Sequence, residues 1–180
     1  MMEELIRNLL ARLGENPDRE GLMRTPERVV ESLREMTAGY GVDGVSVLSE
    51  AVFPAESDGL VVCRDIRFVS LCEHHLLPFF GTATVAFQPD ERLVGISKLV
   101  RVTEAYAHRL QVQERLGQQI LDAMETALEP AGALVSIDAL HLCMVARGVR
   151  QADARMQTLN LSGVFKQDPA LAALVLRKNE

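Results

Sequence analysis

The chain has 180 residues, 48% of them hydrophobic and 24% charged, which is an ordinary globular balance at one domain's length and excludes a disordered or collagen-like chain. The net charge of −6 is opposite in sign to that of a nucleic-acid binder, and no apolar run approaches the roughly 18 residues of a membrane span. Three cysteines cannot all pair, so we expect free thiols in a cytoplasmic protein rather than a disulfide scaffold. We therefore predict a single domain over residues 1–180.

The N-terminal region, residues 1–40, has the pattern of two amphipathic helices. Leucine and isoleucine recur at helical spacing up to Gly14. A second apolar stripe follows Thr25 and Pro26, which we interpret as a helix cap and a helix-starting proline. Residues 40–59 show no regular pattern and are predicted to form a loop.

The core, residues 60–165, shows the order strand, strand, helix, helix, strand, strand. Alternating apolar residues predict the strands, and an apolar repeat every four residues predicts the helices. The predicted strands cover 60–71, 81–88, 134–145 and 158–164, and the two helices occupy 98–129 with a break near 111–113. Because the strands come in sequential pairs, we predict an α+β fold, an antiparallel sheet with both helices on one face. Asp168 and Pro169 then begin a terminal helix predicted over 168–178.

Two short motifs collect two of the three cysteines and three of the four histidines. Residues 72–75 read Cys-Glu-His-His, and residues 141–143 read His-Leu-Cys. On a strand, His141 and Cys143 would share one face, so the ends of two hairpins could meet in one pocket. Catalytic zinc sites use three thiolate or imidazole ligands and leave a fourth position for water. Either motif alone is also typical of core packing, but together they predict a metal site.

A second cluster lies at the start of the first core helix. Ser97 is a candidate helix cap, and the free N–H groups of a helix N-terminus attract anions. Lys98 and Arg101 are three residues apart and share a helix face, which suits a phosphate group. The same residues also fit an ordinary solvated face on which Arg101 pairs with Glu104.

Two further positions are candidates for ligand binding. Arg147 follows the second Cys-His motif closely and would bring another cation near the metal. Residues 113–115 read Gln-Glu-Arg at the predicted break between the helices. Glu114 could point into a pocket there, or it could be an exposed acid in the first turn of a helix.

Four strings in this order and spacing, CEHHLLPFFG, GISK, RLQVQERL and HLCMVARG, resemble GTP cyclohydrolase I. The string GENPDREGLMRTPERV is similar to the family's N-terminal helical region, and the resemblance covers about residues 14–165. It implies the tunnelling fold, an antiparallel ββααββ sheet with two helices per subunit. It also implies a homo-oligomer, a decamer of two stacked pentamers with active sites shared between subunits.

The resemblance assigns roles to the candidate residues. It makes Cys72, His75 and Cys143 the zinc ligands and leaves His74 and His141 as acid–base catalysts. It also implies that Glu114, helped by Gln113, binds the guanine edge of GTP. The residues implied to hold the triphosphate are Ser97, Lys98, Arg101 and Arg147.

The implied reaction is zinc-dependent opening of the GTP imidazole ring by water, release of formate and reclosure to 7,8-dihydroneopterin triphosphate. This is the first step of folate-type pterin synthesis. An aromatic ring carbon is a poor electrophile, and zinc helps by lowering the pKa of water to about 7. A histidine can protonate the ring nitrogen while water adds.

The chain departs from the family's pattern after Arg147. A Thr-x-Thr-Ser strand is usual there, whereas residues 156–159 read Met-Gln-Thr-Leu, and Ser162 replaces an arginine. Because of this departure, the resemblance does not determine how the strands pair or how subunits pack near the pocket. Two other interpretations also stay open: a catalytically weak or silent zinc-binding paralogue, and a tunnelling-fold enzyme acting on another purine or pterin.

Overall fold

Besides two 3₁₀-helices, Glu20–Leu22 and Ala38–Gly41, eight α-helices and seven strands lie in the part of the chain that the computed structural model describes, residues 1–177. In chain order they are α1 (Met2–Arg12), α2 (Thr25–Met36), α3 (Gly44–Ser49), β1 (Val52–Pro54), β2 (Val61–Cys72), β3 (Pro78–Gln88), β4 (Arg92–Val94), α4 (Ile96–Ala107), β5 (Leu110–Gln111), α5 (Gln113–Leu128), β6 (Gly132–His141), α6 (Leu142–Val145), β7 (Met156–Leu161), α7 (Val164–Gln167) and α8 (Pro169–Leu176). None of these helices is long and apolar enough to cross a membrane.

The central sheet has five strands in the order β5-β2-β3-β6-β7. Its four long strands pair antiparallel, and α4 and α5 lie between the two hairpins in the chain, so the predicted α+β fold with ββααββ order is confirmed. The two-residue strand β5 was not predicted, and it adds a short parallel pairing with the end of β2. A separate small sheet joins β1 to β4.

The main core lies between this sheet and the helices α4 and α5. Alternate residues of β6 face the two sides of the sheet: Val135 and Ile137 belong to the main core, whereas Leu134 belongs to a smaller cluster with Phe165 and Val175. All five are almost completely buried. Beside the end of α8, this second face carries polar side chains of β2, β3, β6 and β7 around a cavity of about 290 Å³.

The predicted loop over residues 40–59 is wrong in its central part. The segment contains the helix α3 and the strand β1. The Asp43 side chain caps α3 by accepting a hydrogen bond from the Ser46 N–H at 3.0 Å, and Leu48 is fully buried. A six-residue helix and a three-residue strand are too short to show a period, and the partner of β1 lies some 40 residues further along the chain.

The predicted strand over residues 134–145 is wrong beyond residue 141. β6 ends at His141, and the next four residues form the helical turn α6, so Cys143 is not on a strand. The partner strand explains this end, because His141 pairs with Phe79 and β3 begins one residue earlier, at Pro78. Past His141, β6 therefore has no neighbouring strand to continue the ladder.

The predicted helix cap is confirmed at α8 and is wrong at α2 and α4. Asp168 caps α8 by accepting hydrogen bonds from the Ala170 and Leu171 N–H groups, as predicted. The predicted helix ran to residue 178, which lies outside the described residues, as do the last three residues of the predicted domain. Ser97 is not a cap, since α4 begins at Ile96 after Gly95. Thr25 is likewise the first helical residue of α2 rather than its cap.

Candidate active site

The turn between β2 and β3 presents the first Cys-His motif at one end of the sheet. The Cys72 N–H donates to the Leu77 carbonyl, and the Cys72 carbonyl accepts from the Leu76 N–H, both at 2.9 Å. Leu76 takes the left-handed conformation, with φ of 53°. This tight turn buries Cys72 at the strand end and leaves His74 and His75 exposed beyond it.

Cys143 joins this turn from the other hairpin. Because Phe79 pairs with His141, the end of β6 lies beside the start of β3, and α6 brings the Cys143 thiol to the β2–β3 turn. The Cys72 Sγ lies 3.7 Å from the His75 Nδ1, and the donor atoms of Cys72, His75 and Cys143 all lie within 4.8 Å of one another. The structure therefore gathers the three residues that the resemblance implies as metal ligands.

The chemistry of this group suits a metal ion. Burial raises the pKa of the Cys143 thiol, and the neighbouring Cys72 thiol raises it further because two thiolates side by side would repel each other. A bound dication would remove that penalty by neutralising both thiolates. Two sulfurs and one imidazole are a donor set typical of zinc, and three protein ligands leave a fourth position open.

Two further predicted residues lie at this end of the sheet. The His74 side chain is 63% exposed, and its Nδ1 lies 3.8 Å from the Cys72 Sγ. The Arg147 guanidinium, also exposed, lies 3.3 Å from the His75 Nε2. An imidazole and a guanidinium thus lie beside the candidate metal ligands, and their roles in acid–base catalysis and phosphate binding stay predictions.

His141 occupies a more enclosed position. Its ring stacks on the ring of Phe79, with centroids 4.6 Å apart and planes 2° from parallel. Its Nε2 lies 2.8 Å from the Gln113 Oε1. Burial lowers the pKa of His141, and the Glu114 carboxylate opposes this shift only in part. The ring is therefore held rigidly and favours its neutral form.

The two residues predicted to bind guanine lie in different surroundings. α5 begins at Gln113, whose side chain is buried with 1% of its surface exposed, whereas Glu114 is exposed in the first turn. The Gln113 amide contacts β6, β7 and His141. A guanine role for Gln113 stays a prediction, but within this chain its amide groups are already engaged.

Arg115 and Phe79 also lie at this candidate site, although neither was predicted from the sequence. The Arg115 guanidinium forms an ion pair with Glu73 in the β2–β3 turn and donates to the Leu110 carbonyl at 2.9 Å. It thereby ties the turn to the start of α5. Both residues occur in the motifs CEHHLLPFFG and RLQVQERL, so the motifs marked the right segments. The strand register that pairs Phe79 with His141 produces no recognisable pattern in the sequence around either residue.

The predicted phosphate cluster at residues 97–101 is not assembled with the metal ligands by this chain. Ser97 and Arg101 are exposed, and the largely buried Lys98 forms an ion pair with Glu50. Ser97 and Lys98 lie in the first turn of α4 and Arg101 in the second, while the C-terminal end of the helix leads into β5 beside Cys72. A 12-residue helix is about 18 Å long, so its first turn is far from the β2–β3 turn.

Comparison with known proteins shows which family and which enzymes this chain is similar to. The family described as GTP cyclohydrolase I matches residues 2–180. The GTP cyclohydrolase 1 of Chlorobium chlorochromatii is 48% identical over 98% of this chain and 79% of its own length. That of Deinococcus radiodurans is 46% identical over 96% of this chain and 80% of its own length. The apo structure of the archaeosine synthase QueF-Like aligns with 60% of this chain at 18% identity and a TM-score of 0.49, too distant to bear on its chemistry.

Proposed function

Because the chain belongs to the GTP cyclohydrolase I family, we propose that it opens the imidazole ring of GTP with water, releases formate and recloses the product to 7,8-dihydroneopterin triphosphate. The observation that carries the proposal is the group of Cys72, His75 and Cys143 at one end of the sheet, with a second histidine in the same turn and a third at the end of β6, two residues before Cys143. The relatives named above carry the same enzyme name over nearly the whole of this chain.

We propose zinc as the metal held by Cys72, His75 and Cys143. When bound, zinc would make water a sufficient nucleophile at neutral pH. The protein's contribution is to hold the three donors together: Cys72 at the end of β2, His75 in the following turn and Cys143 in α6.

The two histidines have different surroundings, which supports different roles. His74 is exposed on the turn, where it can reach the base of a substrate lying over the metal ligands and protonate the ring nitrogen. His141 is enclosed and stacked, and burial lowers its pKa, which suits repeated proton exchange with the sugar while the ribose ring opens and rearranges.

Glu114 supports a preference for guanine. Guanine offers two adjacent donors, the ring N–H and the amino group, which one carboxylate accepts together. Adenine presents an acceptor at the equivalent ring nitrogen and would leave the carboxylate unpaired. Sites built on such hydrogen bonds reject the analogue by roughly four orders of magnitude. We therefore expect turnover of GTP and not of ATP, and loss of that discrimination in Glu114→Ala.

We further propose that neighbouring subunits complete the site, in a decamer of two pentamers. The sheet supports oligomerisation because β7 is an edge strand and Leu159 on it is 45% exposed, so its open edge can pair with another copy. The separation of Lys98 and Arg101 from the metal ligands also supports a site that takes its phosphate-binding cations from another subunit. A cytoplasmic location is part of the proposal, and the free Cys63, Cys72 and Cys143 are consistent with it.

The test is incubation of the zinc-loaded protein with GTP, measuring formate and the fluorescence of the oxidised pterin. We expect both products in equal amounts. A silent paralogue would bind zinc and release neither. An enzyme for another purine or pterin would leave GTP unchanged, and it would not need the cations Lys98 and Arg147, which this chain has.

A further inference from the structure

The buried Gln113 amide joins α5 to the last two strands of the sheet. Its Nε2 donates to the Ile137 carbonyl at 3.1 Å and to the Met156 carbonyl at 2.9 Å, and it lies 3.2 Å from the Thr158 Oγ1. These acceptors belong to β6 and β7. An amide nitrogen carries only two hydrogens, so both are used within this chain.

This bonding leaves one orientation for the amide. Rotation by 180° would place Oε1 against two backbone carbonyl oxygens, neither of which can donate a hydrogen bond. Oε1 therefore faces His141, at 2.8 Å from its Nε2. Because a carbonyl oxygen only accepts, the His141 Nε2 is the donor.

The donor assignment determines the tautomer of the ring. In a neutral imidazole one nitrogen donates and the other accepts, so a hydrogen on Nε2 leaves Nδ1 as the acceptor. The Nδ1 of His141 has no hydrogen-bond partner within residues 1–177. Stacking on Phe79 holds the plane of the ring.

We propose that Gln113 is a positioning residue that fixes the orientation and tautomer of His141, so that Nδ1 is the nitrogen directed to the substrate. This inference rests on the proposed function and differs from the guanine contact that the family resemblance implies for Gln113. Gln113 acts on the reaction through His141, and Glu114 alone of the pair is exposed for the base.

The same contacts do not depend on the side chains at which β7 departs from the family pattern. Gln113 uses the main-chain carbonyl of Met156, which any residue supplies, and the hydroxyl of Thr158. The departures at Met156 and Leu159 therefore leave the support of His141 in place.

The test compares Gln113→Met with Gln118→Met. Gln118 is an exposed glutamine on the same helix, bonded to Asp122 and Asn160 and not to His141, so it is a matched control. We expect Gln113→Met to lower kcat for GTP about 10- to 100-fold, part of the loss typical of an acid–base group, with KM and zinc content within about twofold of the parent. The control should change neither constant. A raised KM with unchanged kcat would show that Gln113 binds guanine and would overturn the proposal.

A double variant separates positioning from a structural effect. If Gln113 acts through His141, adding Gln113→Met to His141→Ala should not slow formation of the early ring-opened species that the single variant accumulates. Slower formation of that species in the double variant would overturn the proposal.

A readout that does not need turnover distinguishes failure of this inference from failure of the proposed function. In protein labelled with nitrogen-15 at histidine, the His141 ring, assigned by its absence in His141→Ala, should show the tautomer with hydrogen on Nε2. Gln113→Met should show a mixture. The opposite tautomer in the parent would overturn the inference whether or not the protein turns over GTP.

Discussion

The metal end of the sheet and the N-terminal end of α4 carry the two halves of the candidate site, and one chain builds them to different degrees. At the metal end, Cys72, His75 and Cys143 converge, and His141 is stacked and hydrogen-bonded. At the α4 end, Arg101 is exposed and Lys98 is bonded to Glu50. The difference fits the proposal that each subunit organises its own metal ligands, whereas the phosphate-binding cations come from a neighbouring subunit.

The largest effect is expected at the metal end. Cys143→Ser should abolish metal binding and activity together, because the remaining thiol and imidazole leave the metal with too few ligands. Elemental analysis and formate release measure the two losses. Full zinc occupancy in this variant would remove Cys143 from the site.

The two unligated histidines should differ in the step at which their variants stop. His74→Ala should block the reaction before ring opening, with a loss of about two to four orders of magnitude. His141→Ala should keep its zinc and accumulate an early ring-opened species without dihydroneopterin triphosphate. Quenched-flow product analysis on zinc-loaded variants makes the comparison. If both variants stop at the same species, the two histidines do not divide ring chemistry from sugar chemistry.

The α4 end should affect substrate binding and leave the metal in place. Lys98→Met combined with Arg101→Met should lower kcat/KM about a hundredfold or more, because two charge-assisted hydrogen bonds to phosphate are lost. Zinc content should equal that of the parent.

Mixing this double variant with Cys143→Ser tests whether the two halves come from different subunits. After joint unfolding and refolding, about a quarter of the sites should combine an intact metal end with an intact α4 end from a neighbour. Recovered formate release measures them. Since each chain is defective in one half, a mixture with no recovery would show that each chain builds its own site.

The smallest effect is expected from the partner of Lys98. Glu50→Gln removes the ion pair without removing the cation. Although Lys98 is largely buried, Glu50 is 63% exposed, so solvent reaches the pair and weakens its contribution. We expect KM for GTP to change by less than about threefold. A tenfold rise would mean that Glu50 has to orient Lys98 for phosphate, and that this end is preorganised in the chain after all.

Local chemistry was enough to predict the order of the core strands and helices and the residue types of the candidate site. Periodicity identified both hairpins and both core helices, because an amphipathic strand or helix carries its own repeat. The thiols and imidazoles of residues 72–75 and 141–143 pointed to a metal because few other roles collect these groups so closely. Asp168 could be predicted as a helix cap because a cap accepts hydrogen bonds from the N–H groups of the next few residues.

The tertiary structure decided what depends on contacts between distant segments. Pairing of β3 with β6 ends the strand at His141 and moves Cys143 onto a helical turn, which alternation along residues 134–145 could not reveal. Gln113 meets His141 across 28 positions and Lys98 meets Glu50 across 48. Strand register and helix packing determine such pairs. Register and packing both depend on the burial of whole elements. Residue type and spacing could therefore indicate the candidate site residues, but not the residues that they contact.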